Sequence, residues 1–308
     1  MRTVVCTLFE GHYHFGVGAL ANSLFVSGYR GILWAGYRGD LPPWGNPAAA
    51  PKSGIHHVEI ADGFSIAFVP LKTGVHFTYF KPYFLDQVLD ELDLECDAAI
   101  YIDPDIVVKG PWHLLNRWPR DGVALVHDVH SLMPERHPMR LAWRDFLTAR
   151  KISADFPRDR YYSGGFVGIS RSQRNFLGVW REIVEIVQSE IGVDAIKHGD
   201  AGELFHSADQ DALNIALMAC DTPVNAAHSE SMDFATGGYL LSHAIGTPKP
   251  WQGGFIRRAL KGVPPGLAIK AFMRHTESPI DLLDSATRRK LRCSVTIASA
   301  IGRFYGRA

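Results

Sequence analysis

The chain has 308 residues, 46% hydrophobic and 21% charged, which excludes a disordered polymer and leaves room for one large domain or two small ones. Its 32 Lys/Arg balance 32 Asp/Glu, so no global field argues for a nucleic-acid partner. Cys6, Cys96, Cys220 and Cys293 are far apart with no C-x-x-C pair, which argues against a zinc site or disulfide framework and for a reducing compartment.

The opening segment MRTVVCTLF is too short an apolar run for a leader and reads as a strand over Thr3 to Leu8. No run reaches the roughly 20 apolar residues of a spanning helix, so the expected location is the cytoplasm. Gly11 to Gly18 forms a glycine-containing turn with His12, Tyr13, His14 and Phe15. It suits either a satisfied aromatic turn or a base and ribose, and it lacks the full G-x-G-x-x-G pattern of dinucleotide binding. Val17, Leu20, Leu24 and Phe25 follow at helical core spacing, with Gly28 as the stop and Gly31 to Ala35 as a second strand. This is a βαβ opening.

Tyr37 to Ser53 is proline-rich, without periodicity, and reads as a loop. Ile55 to Ile60 and Ser65 to Val69 read as strands. The helix after them carries Phe80, Phe84, Leu85, Val88, Leu89 and Leu92 on one face. Lys81 and Pro82 are expected in its first turn, where proline is favoured and a lysine suits a pyrophosphate. Ala98 to Ile102 is an unbroken apolar run, the pattern of a strand covered on both faces. It ends in Asp103-Pro104-Asp105. Two carboxylates at i and i+2 in extended backbone point the same way, and such a pair clamps a hard cation that also takes substrate phosphate oxygens. Open α/β sheets place ligands at this end of their strands.

Gly122 to Val126 is a further strand. His130 to Arg160 is a polar insertion around a helix at Met139 to Ala149. In YYSGGFVGIS, Tyr161 to Ser170, Gly164 and Gly165 suggest a close backbone approach. Gln173 to Glu190 is a structural helix. Ser207 to Ala219 is another, with Asp209, Gln210 and Asp211 in its first turn, where acids are favoured. Tyr239 to His243 is a short strand that runs into the turn HAIGTPKPW.

Five motifs in this order, YFKP at Tyr79 to Pro82, YIDPD at Tyr101 to Asp105, YYSGGFVGI at Tyr161 to Ile169, DQDALN at Asp209 to Asn214 and HAIGTPKPW at His243 to Trp251, resemble glycosyltransferase family 8. The resemblance implies an α/β GT-A fold, Rossmann-like, with a mostly parallel central sheet flanked by helices over residues 1–252. It implies that Asp103, Asp105 and His243 bind Mn²⁺, with Mg²⁺ as the alternative. It also implies nucleotide and diphosphate contacts from Thr7, Tyr13, Lys81, Ile102, Pro104, Gly246 and Lys249. Gly164, Gly165, Asp209 and Asp211 would surround the donor sugar. Gln210 and Asp209 would be catalytic, Gln210 lying near the anomeric carbon. Retention by a front-side mechanism is then expected, because glutamine is a poor nucleophile. The chain departs from the pattern at Phe9-Glu10-Gly11-His12-Tyr13, where Tyr13 can stack on a base but no uracil-selecting group is identifiable. It also carries Lys81 where many members have arginine.

Residues 253–308 lie outside the resemblance. They hold 11 Lys/Arg and 3 Asp/Glu, a basic helical tail on a body of net charge −8. Such a tail either packs on the body as a solvated helix or rests on an anionic bilayer at the inner face of the membrane. The expected function is transfer of a hexose from a nucleotide diphosphate sugar, UDP-glucose or UDP-galactose first, to a glycan or glycolipid acceptor. The alternatives are a nucleotidyltransferase, disfavoured because Gly11 to Gly18 has no Lys or Arg for a triphosphate, and a non-catalytic sugar-nucleotide or glycan-binding protein.

Overall fold

A computed structural model describes residues 1–51, 54–192 and 204–304. Lys52 and Ser53 at the end of the expected loop and residues 305–308 of the expected tail lie outside it.

The strands are β1 (Thr3–Glu10), β2 (Gly31–Arg38), β3 (His56–Ala61), β4 (Phe64–Pro70), β5 (Ala98–Ile102), β6 (Ile106–Val108), β7 (Val123–Leu132), β8 (Arg160–Ser170), β9 (Val224–Ala227) and β10 (Leu241–His243). Eight of them form one sheet in the order β3-β4-β2-β1-β5-β8-β7-β9, and β10 pairs with β6 in a small second sheet. All five residues of β5 are buried, as its apolar run requires. The ladders β1–β5, β2–β4 and β7–β9 are parallel, while β3–β4, β5–β8 and β7–β8 are antiparallel. The fold is α/β, with a mixed sheet flanked by helices.

The main helices are α1 (His14–Val26), α2 (Phe77–Gln87), α3 (Trp112–Arg117), α4 (Pro138–Ala149), α5 (Arg174–Ile191), α6 (Ala208–Ala219), α7 (Phe255–Ala259), α8 (Leu267–Met273) and α9 (Ser285–Ile301). In α5 the predicted face is the buried one: Phe176, Leu177, Trp180, Ile183, Val184 and Val187. Helix α2 corrects the sequence reading. It begins at Phe77, where the His76 side chain accepts from the Thr78 amide, so Pro82 lies within the helix and not in its first turn. The cap lies upstream of the proline and sets the start.

The chain divides into two compact units. One comprises Met1–Cys6, Thr73–Ile102 and Leu115–Ser229, and the other Thr7–Lys72, Asp103–Leu114 and Glu230–Ala308. In the second unit the C-terminal segment packs on α1. Asn22 Nδ2 donates to the carbonyls of His275 and Ile280, and the Ile280 amide donates back to Asn22 Oδ1. Arg257, Lys261, Lys270, Arg274, Arg289 and Lys290 are exposed while Phe255, Phe272, Met273, Leu291 and Val295 are buried, so part of the tail's apolar content belongs to a core.

Candidate active site

In the second unit, Asp103-Pro104-Asp105 is a tight turn: the Ile106 amide donates to the Asp103 carbonyl at 3.0 Å. This corrects the expectation of extended backbone, and it is the turn that brings the carboxylates together. Strand β10 then runs antiparallel to β6 with His243 opposite Ile106, and the Ala244 amide donates to the Asp105 carbonyl at 3.0 Å. Strand register thereby sets an imidazole beside a carboxylate 138 positions earlier in the chain. One donor atom from each of Asp103, Asp105 and His243 lies within 4.8 Å of the others.

Asp105 is the hub. His243 Nε2 is 3.1 Å from its Oδ1, and Lys249 Nζ donates to its Oδ2 at 2.5 Å and to the Ala244 carbonyl at 2.9 Å. Burial pushes the Asp105 carboxyl up, but His243 and Lys249 together outweigh it and hold the group well below the usual carboxylate range. Gln252 Oε1 accepts from the Lys249 amide at 2.7 Å, which fixes the turn. Gly246, at φ 75°, takes the left-handed conformation that this turn needs.

The N-terminus of α1 meets the same turn. A Cβ on Gly16 would stand 2.1 Å from the Pro104 carbonyl oxygen, so only glycine allows the approach. Tyr13, 37% exposed, packs edge-on against Trp251 at 5.4 Å between ring centroids, and Lys249 Nζ lies 5.9 Å from the Tyr13 ring centre. Thr7 is fully buried on β1, and its hydroxyl has no partner among the described residues. Two carboxylates and an imidazole suit a divalent ion that accepts nitrogen as well as oxygen. The His243 Nδ1 atom is buried without a protein partner among the described residues, while Nε2 faces the carboxylates. The donor set therefore fits a divalent ion.

The first unit holds a different cluster, built by α6 against β8. Gln210 Oε1 accepts from the Gly164 amide at 2.9 Å. Asp211 Oδ1 accepts from the Tyr161 hydroxyl at 2.7 Å, and its Oδ2 accepts from the amides of His206 and Ser207 at 2.8 and 2.9 Å. Asn214 closes the row by bonding both the amide and the carbonyl of Tyr162 at 2.9 Å. At 2% exposure, Asp211 has both oxygens engaged by protein, whereas Asp209 is half-buried. Burial pushes the Asp211 carboxyl up, offset in part by Tyr161 and the two amides.

Lys81 Nζ donates to the Gly164 carbonyl at 2.9 Å and lies 5.2 Å over the Tyr101 ring. It is bound to the stretch of β8 expected to hold the sugar. A Cβ on Gly164 would meet Lys81 Nζ at 3.7 Å and Gln210 at 3.9 Å, ordinary contacts, so this glycine is not forced by crowding. Ile102 and Gly165 are buried. Sequence reasoning missed Asp128 on β7, whose Oδ2 accepts from Gln210 Nε2 at 3.2 Å. The signal was weak: Asp128 lies two residues beyond the apolar run Val123 to Val126, inside a strand that continues to Leu132.

No family model matches the sequence, and no curated protein matches it. Solved structures do. A structure of an active-site mutant of LgtC matches at TM-score 0.55 and 16% identity, covering 93% of this chain and 99% of that one. The galactosyltransferase LgtC in complex with donor and acceptor sugar analogs matches at TM-score 0.53 and 16% identity over the same shares. The bifunctional glycosyltransferase WbbM matches at TM-score 0.52 and 14% identity; the match covers 96% of this chain and 52% of WbbM, so this chain spans about half of that protein. At these identities the likeness is one of fold, and the fold of this chain is that of the GT-A glycosyltransferases.

Proposed function

We propose that the protein is a metal-dependent glycosyltransferase that moves a hexose from a nucleotide diphosphate sugar, UDP-glucose or UDP-galactose first, to a glycan or glycolipid. The observation that carries this reading is the assembly of Asp103, Asp105 and His243 by a β-turn and a strand register, on a fold shared with glycosyltransferases.

In this reading Asp103, Asp105 and His243 hold Mn²⁺, or Mg²⁺ as the alternative, and when bound the ion supplies Lewis-acid stabilisation of the departing diphosphate. Lys249 adds a second positive group there. Its bond to Asp105 holds it in place before substrate arrives, the preorganisation that makes electrostatic catalysis effective. Tyr13, with Trp251 behind it, offers a ring face for the base, and the Thr7 hydroxyl and the Pro104, Ile102 and Gly246 backbones line the nucleotide side. Gln210 and Asp209 address the hexose. Gln210 is fixed from both ends, by the Gly164 amide and by Asp128, so its amide keeps one orientation. A neutral, oriented amide stabilises charge at the anomeric carbon without forming a covalent bond, which favours front-side attack and retention.

Asp211 and Lys81 take supporting roles. Asp211 positions α6 and Tyr161, and Lys81 positions the Gly164 stretch of β8 that is proposed to hold the sugar. The basic tail is proposed to touch anionic membrane. Among the described residues no helix is long and apolar enough to cross one. Charge reversal of Arg257 and Lys261 should reduce vesicle flotation; unchanged flotation removes the tail from that role.

The functional test is a panel of nucleotide sugars with Mn²⁺, Mg²⁺ or EDTA, read as slow release of nucleoside diphosphate without acceptor. Metal-dependent release from one UDP-sugar is the expected result. Binding without turnover of any donor, with or without candidate acceptors, assigns the chain to the non-catalytic class, and pyrophosphate release from a nucleoside triphosphate assigns it to the nucleotidyltransferases.

A further inference from the structure

The segment after Trp251 lies outside the motifs that mark the donor site, yet within the second unit it packs against that site from behind. Helix α8 rests on β6, which starts after Asp105, and on β10, which ends in His243. Its Phe272, 2% exposed, meets the Trp251 ring at 5.6 Å between centroids, and Trp251 in turn meets Tyr13 and Phe15. The Arg258 guanidinium of α7 donates to the Thr247 carbonyl, two residues before Lys249. Further along, the carbonyls of His275 and Ile280 accept from Asn22 of α1. Leu282 comes so close to the same helix that a Cβ on Gly18 would stand 2.1 Å from its Cδ2. One segment thus grips both the helix that follows Tyr13 and the turn that carries Lys249.

A lysine ammonium rides on a flexible stem, so fixing the charge in space requires an anchor at the backbone as well as at the tip. The tip is held by Asp105 and the Ala244 carbonyl. At the backbone, Gln252 accepts from the Lys249 amide, and Arg258 holds the Thr247 carbonyl. Gln252 borders the turn and moves with it. Arg258 belongs to a helix whose Phe255 and Ala259 are buried, so it ties the turn to a packed element. Its bond has a charged donor, the stronger class of hydrogen bond.

We infer that Arg258 is a positioning residue for the donor diphosphate, acting through the Thr247 carbonyl on the turn that presents Lys249. The inference rests on the transferase reading given above and deepens it: the donor site then extends past Trp251 into the basic segment, where at least one cation serves the site and not the solvent.

The test is a double-mutant cycle on the full chain, read calorimetrically as UDP affinity in Mn²⁺ beside the melting temperature of each variant. Arg258→Met keeps the aliphatic stem and removes the hydrogen bond; it should weaken UDP about tenfold, the scale of one charged hydrogen bond. Arg258→Lys keeps a donor and should recover most of that loss. Lys249→Met should weaken UDP at least as much. Adding Arg258→Met to it should then cost little more, because the group that Arg258 positions is already gone. A role in folding alone would lower the melting temperature and leave the UDP affinity of the folded protein as it was. Unchanged affinity in Arg258→Met overturns the inference, as do losses that multiply in the double variant. Should Lys249→Met fail to fold, the two Arg258 variants decide: recovery by lysine upholds the inference and equal affinities overturn it. These outcomes leave the donor reading standing as long as wild type binds UDP with Mn²⁺; a wild type that binds no nucleoside diphosphate overturns both.

Discussion

The two clusters solve opposite electrostatic problems. Around Asp105 the second unit gathers a buried carboxylate, an imidazole and a lysine on short turns, so the arrangement is ionic and open to an added cation. Around Gln210 the first unit ties a helix to its neighbouring strands by hydrogen bonds, and the deeply buried acid of this cluster, Asp211, is consumed by a tyrosine and two amides. The contrast teaches that an acid's place in a motif does not give its work. Asp105 and Asp211 are both buried carboxylates engaged at both oxygens, yet Asp105 is held by an imidazole and a lysine within a metal-ligating group, and Asp211 by a hydroxyl and two amides.

The largest expected effects come from the ionic cluster. Asp103→Ala and His243→Ala should each weaken metal-dependent nucleotide binding by 100-fold or more, of the order seen when a metal ligand or its support is removed. Asp103→Ala should leave the melting temperature near wild type, since the group is half-buried. Asp105→Asn should lose metal as well and also destabilise the fold, by about 3 kcal/mol, because Lys249 is left buried without its anion. Thermal melts in EDTA separate these two outcomes; equal stability of the two variants would contradict the hub role of Asp105.

Next come two substitutions that contrast the clusters by packing. Gly16→Ala forces a Cβ onto the Pro104 carbonyl and should cost about 1–3 kcal/mol together with a loss of metal affinity. Gly164→Ala meets only ordinary contacts and should fold normally, so any loss of activity there reports on the sugar. Within the Gln210 cluster, Asp211→Ala orphans a buried hydroxyl and two amides and should cost about 3 kcal/mol. Gln210→Ala should cost about 1 kcal/mol while suppressing turnover far more. Melting temperature against kcat distinguishes a structural acid at Asp211 from the catalytic role proposed for Gln210.

The smallest effect is the pH response, and it has opposite sign in the two units. The folded pKa of Asp105 is depressed, so its contribution to stability is present above the ordinary carboxylate value near ~3.9 and is lost as pH falls through the lower folded value. The folded pKa of Asp211 is raised, so its contribution is present below the ordinary value and fades as pH rises through the folded one. Denaturant melts of the metal-free protein from pH 6 down to pH 3 should therefore show a shallower acid loss for Asp105→Asn and a steeper one for Asp211→Asn. Parallel curves would contradict the assignment.

Much of this was legible in the chain. A buried apolar run cut off by two acids announces a strand end carrying a carboxylate pair, and β5 with Asp103 and Asp105 is that feature. His243 was not legible by spacing, because its neighbour is chosen by strand register across 138 positions, and only the resemblance pointed to it. The close approach at Gly16 was hidden for the same reason: a glycine's necessity depends on what the fold brings against it. Asp128 sits inside a strand two residues past an apolar run, and a lone acid there carries little signal without its partner Gln210. Pro82 was assigned to a helix start by preference alone, and the cap at His76 decided otherwise.

The central claim is that Asp103, Asp105 and His243 form a metal site through which a nucleoside diphosphate is bound. Calorimetric titration of UDP into wild type and Asp103→Asn, each with Mn²⁺ and with EDTA, tests it most directly. The account predicts binding only for wild type with Mn²⁺. Equal UDP affinity in all four titrations would contradict it.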